Sequence, residues 1–378
     1  MHLVDITMFY ATEGGGVSTY LNAKARWLAQ RSRVRHTILS PNIVNDPAAP
    51  SCVSLPGIAL PGLNGFRLPL SVGGPARTML ELAPDLVEAG DAGHAALAAL
   101  RVRKRRDIPA VAFYHSDLQR LVQARLGNAA MRAARVYLAQ LYRQFDLVCA
   151  PSKCMKQQLD ELGVPNAVHQ PLGIDVATFS PALRSDALRK ALQLTPETRL
   201  LVYAGRFTPD KKLALLIDAV RKLGAPYHLL LIGGGASLPA GERISRLPFQ
   251  RDQQVLARLL ASCDALVHPG DCETFGLIVL EAMACGLPVV GTLGGGVGEL
   301  IDPNTGVAVT PNRVSSLCAG IESLFMRDRA AMGKAAAHKA RSLYDWNRIM
   351  PQLMNRYAGL LAVHARADLE AELGCVPE

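Results

Sequence analysis

Short apolar runs and helical stretches alternate along this chain in two successive series, and that rhythm restricts the fold more than any other feature. The first series places strand-like runs at His2–Thr7, His36–Ser40, Leu86–Ala89, Ala110–Tyr114 and Leu147–Ala150. Val17 to Gln30 reads as a helix with Val17, Tyr20, Leu21 and Leu28 on one side. The pattern ends near Pro171-Leu-Gly173-Ile-Asp175, and a second series opens at Leu200–Ala204. It continues through His228–Ile232, Ala265–His268, Val289–Gly291 and Val307–Val309. Helices are expected between these strands at Lys212–Leu223, Gln253–Ala261 and Leu277–Ala284, and after the last at Val314–Phe325. A helix between consecutive strands returns the chain to the same end of the sheet, so the strands run parallel with both faces covered. Ligands of such sheets bind outside the carboxyl ends of the strands.

At 378 residues the chain is long for a single core. The expectation is an α/β protein of two Rossmann-like doubly wound parallel-sheet domains facing across a cleft. They would span residues 1–172 and 173–345, with a C-terminal helix over 346–378 crossing back to the first. Residues 41–75, rich in Pro and Gly, read as excursions beside that cleft.

Composition narrows the class. The start, Met1-His-Leu-Val-Asp5-Ile, carries an early acid and no basic stretch, so it reads as a first strand and not a signal peptide. No run of 18 apolar residues is free of Glu, Gly or Pro, and no transmembrane helix is expected. The eight cysteines show neither CxxC nor zinc spacing, which suits reduced thiols in a cytoplasmic protein. Of a net charge of +9, a surplus of eight lies between Leu100 and Arg143. There Arg101-Val-Arg-Lys-Arg-Arg106 is followed by Arg120, Arg125, Arg132, Arg135 and Arg143, interleaved with Leu121, Val122, Leu126, Met131, Val136, Leu138 and Leu141. The segment 101–143 suits either an anionic membrane surface or an ordinary solvated basic face. Nucleic acid is not expected, since no reader motif occurs and aromatic content is 5%.

The chemistry concentrates in Pro269-Gly-Asp-Cys-Glu273-Thr-Phe-Gly276-Leu-Ile-Val-Leu-Glu281. A strand, a tight loop and a helix start form an anion site, because the first helical turn offers unpaired amides and a positive dipole end. Phe275, Gly276 and Leu277 would supply those amides, Glu273 would reach sugar hydroxyls, and Glu281 would hold a second diol. A glutamate inside the apolar run 277–284 favours function over incidental placement. Gly205-Arg206-Phe-Thr-Pro-Asp-Lys211-Lys212 sets cations at a strand's carboxyl end, where phosphate charge would be neutralised. Three glycine loops compete as phosphate cradles: Gly14-Gly15-Gly16, Gly233-Gly234-Gly235, and Gly294-Gly295-Gly296 ahead of Glu299. Neither of the first two completes GxGxxG, having Thr19 and Leu238 at the last position. His115 follows a strand toward the expected cleft, with Asp117 as a partner that would orient it.

Together these motifs resemble the retaining GT-B glycosyltransferases, in particular glycosyltransferase family 4. The likeness runs through Gly-Gly-Val in the first loop, Tyr-His115-Ser-Asp117, Pro151-Ser152-Lys153 and Gly173-Ile-Asp175. It continues in Gly205-Arg206 with Lys211, and in Glu273-x7-Glu281 leading to Gly286-x-Pro288. It implies GT-B architecture, with an N-terminal acceptor-binding domain and a C-terminal nucleotide-sugar-binding domain. It also implies that Arg206 and Lys211 bind the donor diphosphate, with Lys212 as an alternative to Lys211. Glu273, assisted by the amides of Phe275, Gly276 and Leu277, would bind the donor sugar, and Glu281 the ribose. Gly15 and Gly16 would touch the pyrophosphate, His115 would lie near the reacting carbon, and Glu299 would lie near the nucleotide.

The reaction so implied moves a hexose from UDP- or GDP-hexose to a hydroxyl of a membrane lipid or of a lipid-linked or cell-envelope glycan. The enzyme would be cytoplasmic, peripheral on the inner face of the membrane. No Asp-x-Asp occurs, so neither metal nor cofactor is expected. A GT-B-like sugar-nucleotide epimerase and a non-catalytic sugar-nucleotide or membrane-binding module remain the alternatives. The chain departs from the family at Lys212, at Leu247-Pro-Phe-Gln250-Arg251 near the expected base, and at Gly270, where serine is common.

Overall fold

The computed structural model describes residues 1–10, 15–31, 33–43, 51–59, 66–237 and 241–372, with side chains to residue 365. Gly14, Leu238 and part of the 41–75 stretch therefore lie outside the described residues, as does Cys375. Two units are present: Met1–Pro171 with the segment from Asn347 onward, and Leu172–Trp346.

The first unit begins with β1 (His2–Ile6), α1 (Gly16–Arg31), β2 (Arg35–Ser40) and β3 (Cys52–Ser54). A small antiparallel pair, β4 (Ile58–Ala59) and β5 (Arg67–Leu68), and α2 (Gly73–Glu81) follow. Then come β6 (Leu86–Ala89), α3 (His94–Arg106), β7 (Ala110–Phe113), α4 (Leu118–Tyr142), β8 (Leu147–Ala150), α5 (Lys153–Glu161) and β9 (Ala167–His169). The main sheet runs β3-β2-β1-β6-β7-β8-β9 with every pairing parallel.

The second unit repeats the plan with α6 (Ala187–Ala191), β10 (Arg199–Ala204), α7 (Leu213–Leu223), β11 (Tyr227–Ile232), β12 (Ile244–Leu247) and α8 (Gln253–Ala261). It continues with β13 (Ala265–His268), α9 (Leu277–Ala284), β14 (Val289–Thr292), α10 (Gly295–Leu300), β15 (Gly306–Val309), α11 (Val314–Phe325) and α12 (Arg329–Tyr344). Its all-parallel order is β12-β11-β10-β13-β14-β15. The final helix, α13 (Trp346–Glu372), passes into the first unit at Asn347. In both sheets the winding reverses beside the first strand, so a crevice opens at the carboxyl ends of β1 and β6 and of β10 and β13.

The strands β1, β6, β7, β11 and β13 are buried at every position because helices cover both faces, which is why they read as largely apolar runs. The edge strands β3 and β12 are partly exposed and carry polar residues, so their sequences gave no strand signal.

One feature of the first core has no apolar signature. Lys24 of α1 is fully buried, with Nζ 2.8 Å from Asp5 Oδ1, 3.2 Å from Glu88 Oε2 and 3.0 Å from the Tyr357 hydroxyl. His36 Nε2 lies 2.6 Å from Asp5 Oδ2, and the Tyr20 hydroxyl donates to Glu88 over 2.9 Å. Tyr357 also donates to Glu88. Burial alone would discharge Lys24, but the two carboxylates outweigh it and hold its pKa above the usual lysine value. The network joins β1, β2, β6 and α1 to α13. Nearby on the same helix, Arg356 reaches Gln170 at 3.0 Å and the His169 carbonyl at 3.2 Å.

Candidate active site

In the second unit the loops after β10 and β13, neighbours at the winding reversal, bring together a lysine and a glutamate 62 residues apart. Lys211 ends a short turn opened by Pro209, and its Nζ lies 2.7 Å from Glu273 Oε1 and 3.0 Å from Asp210 Oδ2. His268, the last residue of β13, sets Nε2 3.2 Å from the same Glu273 oxygen. Burial would raise the Glu273 pKa, but the Lys211 charge and the His268 contact reverse this and hold it well below the usual carboxylate range. Lys211, which burial would discharge, is kept charged by Glu273 and Asp210. Arg206 is exposed and has no ion-pair partner among the described residues, so its guanidinium is available to an anion.

Glu281 is the opposite case. It lies on the buried face of α9 with 8% exposure, and no described residue hydrogen-bonds or pairs with its carboxylate. Burial alone pushes its pKa up to about 7. Two glutamates on one loop–helix unit are thus tuned apart, one firmly ionised and one near neutrality. Gly276 starts α9 at φ 97°, a left-handed conformation that suits glycine, and its carbonyl takes the amides of Val279 and Leu280. The amides of Leu277 and Ile278 are left without intrahelical acceptors. Phe275 is buried edge-on against Tyr344, 6.0 Å between centroids. Glu299 is exposed, and its charge raises the Tyr344 pKa after burial has done so.

Lys212 does not join Lys211. Its Nζ lies 2.5 Å from Asp271 Oδ1 and 2.6 Å from Asn312 Oδ1, so it ties the β13 loop to the turn after β15. Two glycine loops also prove to be packing devices. A Cβ on Gly233 would lie 1.9 Å from the Gly205 carbonyl, while the Phe207 amide donates to Gly234 O at 2.7 Å; the loop clamps the Arg206 turn. A Cβ on Gly296 would lie 2.6 Å from Phe275 Cα, and the Gly296 amide donates 2.7 Å to Glu273 O. Gly233 and Gly296 are thus pressed against protein backbone, whereas a Cβ on Gly234 would meet nothing within 4 Å.

In the first unit Gly15 and Gly16 are exposed at the start of α1, and a Cβ on Gly15 would meet nothing within 4 Å. The Gly15 carbonyl accepts from the Thr19 amide at 3.1 Å. His115, just after β7, stacks on Phe113 at 4.2 Å with parallel rings and leans on Tyr20 at 5.2 Å. Burial first, then the Lys24 charge, pushes its pKa down to about 3, so the imidazole is neutral at pH 7. Asp117 does not serve that ring in the way expected. Its carboxylate caps α4 through the Arg120 amide at 3.1 Å and accepts from Gln158 at 3.1 Å.

The basic segment 101–143 is divided between the end of α3, β7 and α4. Arg103 makes a bidentate pair with Asp146 at 2.8 and 2.6 Å, and Arg143 binds the Gly163 carbonyl at 2.7 Å, so neither is a free surface charge. Beside them, Leu121, Arg125, Leu126, Arg132 and Val136 of α4 are exposed. No helix among the described residues is long and apolar enough to cross a membrane. No group of three metal-ligating side chains occurs among them, and their seven cysteines are free thiols.

The sequence motifs contain Asp210 and Asp271 but assign no role to them, to His268 or to Asn312. His268 gave one available signal, a polar residue closing an otherwise apolar strand.

Two family models match in succession: Glycosyltransferase Family 4 over residues 14–178 and Glycosyl transferases group 1 over 184–339. A GDP-mannose-dependent alpha-(1-6)-phosphatidylinositol dimannoside mannosyltransferase of Mycobacterium tuberculosis is 28% identical, over 97% of this chain and 98% of the relative. Sucrose-phosphate synthase of Thermosynechococcus elongatus shares the fold at TM-score 0.81 and 20% identity, covering 96% of this chain and all of the other. Anabaena HepE in complex with UDP-glucose does so at TM-score 0.76 and 20% identity, covering 95% of this chain and 100% of HepE. The chain is therefore a member of glycosyltransferase family 4, a GT-B transferase that uses a nucleotide sugar.

Proposed function

We propose that this enzyme is a retaining, metal-independent hexosyltransferase whose second unit holds the donor. The carrying observation is Glu281: a buried carboxylate with no partner among the described residues, on the helix that follows the Lys211–Glu273 pair. An unpaired acid in an apolar helix is costly unless a ligand satisfies it, and the cis-diol of a ribose supplies two donors. Arg206 and Lys211 would neutralise the charge that grows on the departing diphosphate, a preorganised electrostatic role that takes the place of a metal ion. Glu273 would bind donor-sugar hydroxyls, with the amides at the start of α9 helping on sugar and phosphate, and Glu299 would lie at the nucleotide. Lys212 would act indirectly by holding the β13 loop. Gly15 and Gly16 would offer amides to the pyrophosphate. The neutral His115 would accept a hydrogen bond from the donor sugar or donate one to it.

Because Glu273 is already engaged with Lys211 and His268, a covalent role suits it poorly. Retention would then follow from acceptor attack on the face that the diphosphate leaves, with a phosphate oxygen taking the acceptor proton. The α-linkage in the mannosyltransferase relative's name supports retention from an α-linked donor. That relative also makes GDP-mannose the first donor to test. A membrane lipid or a lipid-linked or cell-envelope glycan is the proposed acceptor class, reached from a cytoplasmic, peripheral position through the exposed basic and apolar residues of α4.

The first experiment is a thermal-shift screen of the purified chain against GDP, UDP, ADP and TDP and their common sugars, repeated with Glu281→Gln. One nucleotide series should raise the melting point of the wild type, and the variant should lose most of that gain. An equal response from both proteins would remove the ribose role. No response from folded wild type would remove the donor site.

A further inference from the structure

His268 has the surroundings of a space-filling residue and the chemistry of something else. It is 1% exposed, with its ring 5.8 Å from that of Tyr203. Nδ1 has no protein partner among the described residues, and the one hydrogen bond of the side chain runs from Nε2 to Glu273 Oε1 at 3.2 Å. An apolar side chain like those of Leu266 and Val267 before it would fill the volume without leaving a buried nitrogen unpaired. What the imidazole adds is directed toward Glu273.

We propose that His268 is a positioning residue for the sugar-binding carboxylate: Nε2–H, donated to Oε1 of Glu273, fixes the rotation of that carboxylate so that Oε2 faces the hydroxyls of the donor sugar. This rests on the donor-sugar role of Glu273 given above. Lys211 also lands on Oε1, and no described residue is bonded to Oε2. An ammonium on a four-carbon stem supplies charge with little directional control, whereas a planar ring wedged in the core supplies direction. An ionised carboxylate only accepts, so the contact fixes the tautomer as Nε2–H.

The departure at Gly270 fits the same device. A Cβ there would lie 3.1 Å from His268 Cε1, 3.3 Å from the Asp210 carbonyl and 3.5 Å from Lys211 Cα. The missing side chain leaves room for the ring and for the Lys211 loop together.

The test uses the full chain and the variants His268→Leu, His268→Gln and Glu273→Gln. Affinities for GDP-mannose and UDP-glucose are measured against those for GDP and UDP, with KM and kcat for donor turnover. His268→Leu should lose about ten- to hundredfold on the nucleotide sugar, the range for a residue that orients a ligand-binding group, while the bare diphosphate binds as before. His268→Gln, whose amide nitrogen can stand where Nε2 stood, should restore most of that loss. Adding His268→Leu to Glu273→Gln should change nothing further.

The proposal is overturned if His268→Leu matches wild type, if Leu and Gln are equally impaired, or if sugar and bare diphosphate lose affinity together. Wild-type sugar affinity in Glu273→Gln alone would instead remove the donor-sugar role of Glu273, a failure visible before His268 is touched. If the leucine variant does not fold, nitrogen NMR of labelled histidines in the wild type decides. A protonated Nε2 whose signal moves in Glu273→Gln supports the proposal, and a proton on Nδ1 with Nε2 bare overturns it.

Discussion

Glu273 and Glu281 share a loop and a helix yet carry opposite tuning, and each makes a separate prediction. Glu281 has its folded pKa raised to about 7 from 4.5 by burial. Between those values the folded state holds more protons than the unfolded state, so stability falls as pH rises through the window and the loss is complete above it. Glu281→Gln removes that loss. Without nucleotide, the variant should melt above wild type at pH 8, with a gain of about 3 kcal/mol that disappears toward pH 4.5. A ribose diol favours the ionised carboxylate, so nucleotide binding near pH 7 should release a proton. Calorimetry in buffers of different ionisation enthalpy reads this directly, and zero release would contradict the assignment. Arg206 tests the other charge. Exposed and unpaired among the described residues, it contributes little to the fold. Arg206→Ala should keep the melting point and lose about 10²–10³ in kcat, as removal of a charge-stabilising donor does; near-normal turnover would sink the phosphate role.

At the level of elements, the central strands and α8, α9 and α11 were legible because full burial writes continuous apolar runs, and helical periodicity separates them. The two carboxylates and the Arg206–Lys211 loop were legible for a related reason: charge placed where the pattern demanded apolar or turn residues. Glycine was ambiguous. Three loops with the same composition differ in what approaches them, and only contacts distinguish Gly15, open to solvent, from Gly233 and Gly296, pressed against backbone. Gly296→Ala should therefore displace the Glu273 loop and weaken nucleotide-sugar binding, whereas Gly15→Ala should leave the melting point unchanged. The basic segment was misleading in detail, since local charge counts do not reveal that Arg103 is held by Asp146. Replacing Arg103 would damage the fold and confuse a membrane test. Arg125→Glu with Arg132→Glu and Leu126→Ser addresses exposed positions only. That triple variant should sediment less with anionic liposomes while keeping its melting point, and unchanged sedimentation would remove the membrane reading.

Across the full length of the chain, the first unit is held together in a way that no local pattern announces. Lys24 sits in a helix whose other residues read as an ordinary amphipathic stretch, and its partners come from β1, β6 and a helix more than 300 residues later. A buried pair of this kind adds little net stability over an apolar substitute, but removing one partner strands the others. Lys24→Met leaves Asp5 and Glu88 buried without their cation and should cost about 3–5 kcal/mol. The loss should follow unit membership and not sequence distance, because α13 from Asn347 onward belongs with Met1–Pro171. Hydrogen exchange by mass spectrometry on the full chain distinguishes the two. In Lys24→Met, peptides from 1–171 and 347–365 should lose protection together while peptides from 172–346 keep theirs. A nucleotide that occupies the second unit should then still protect peptides around Glu273 and Glu281 in the variant. Uniform loss across the chain would mean that the network supports one cooperative body, and loss confined to α1 would mean that it fastens nothing beyond its own helix.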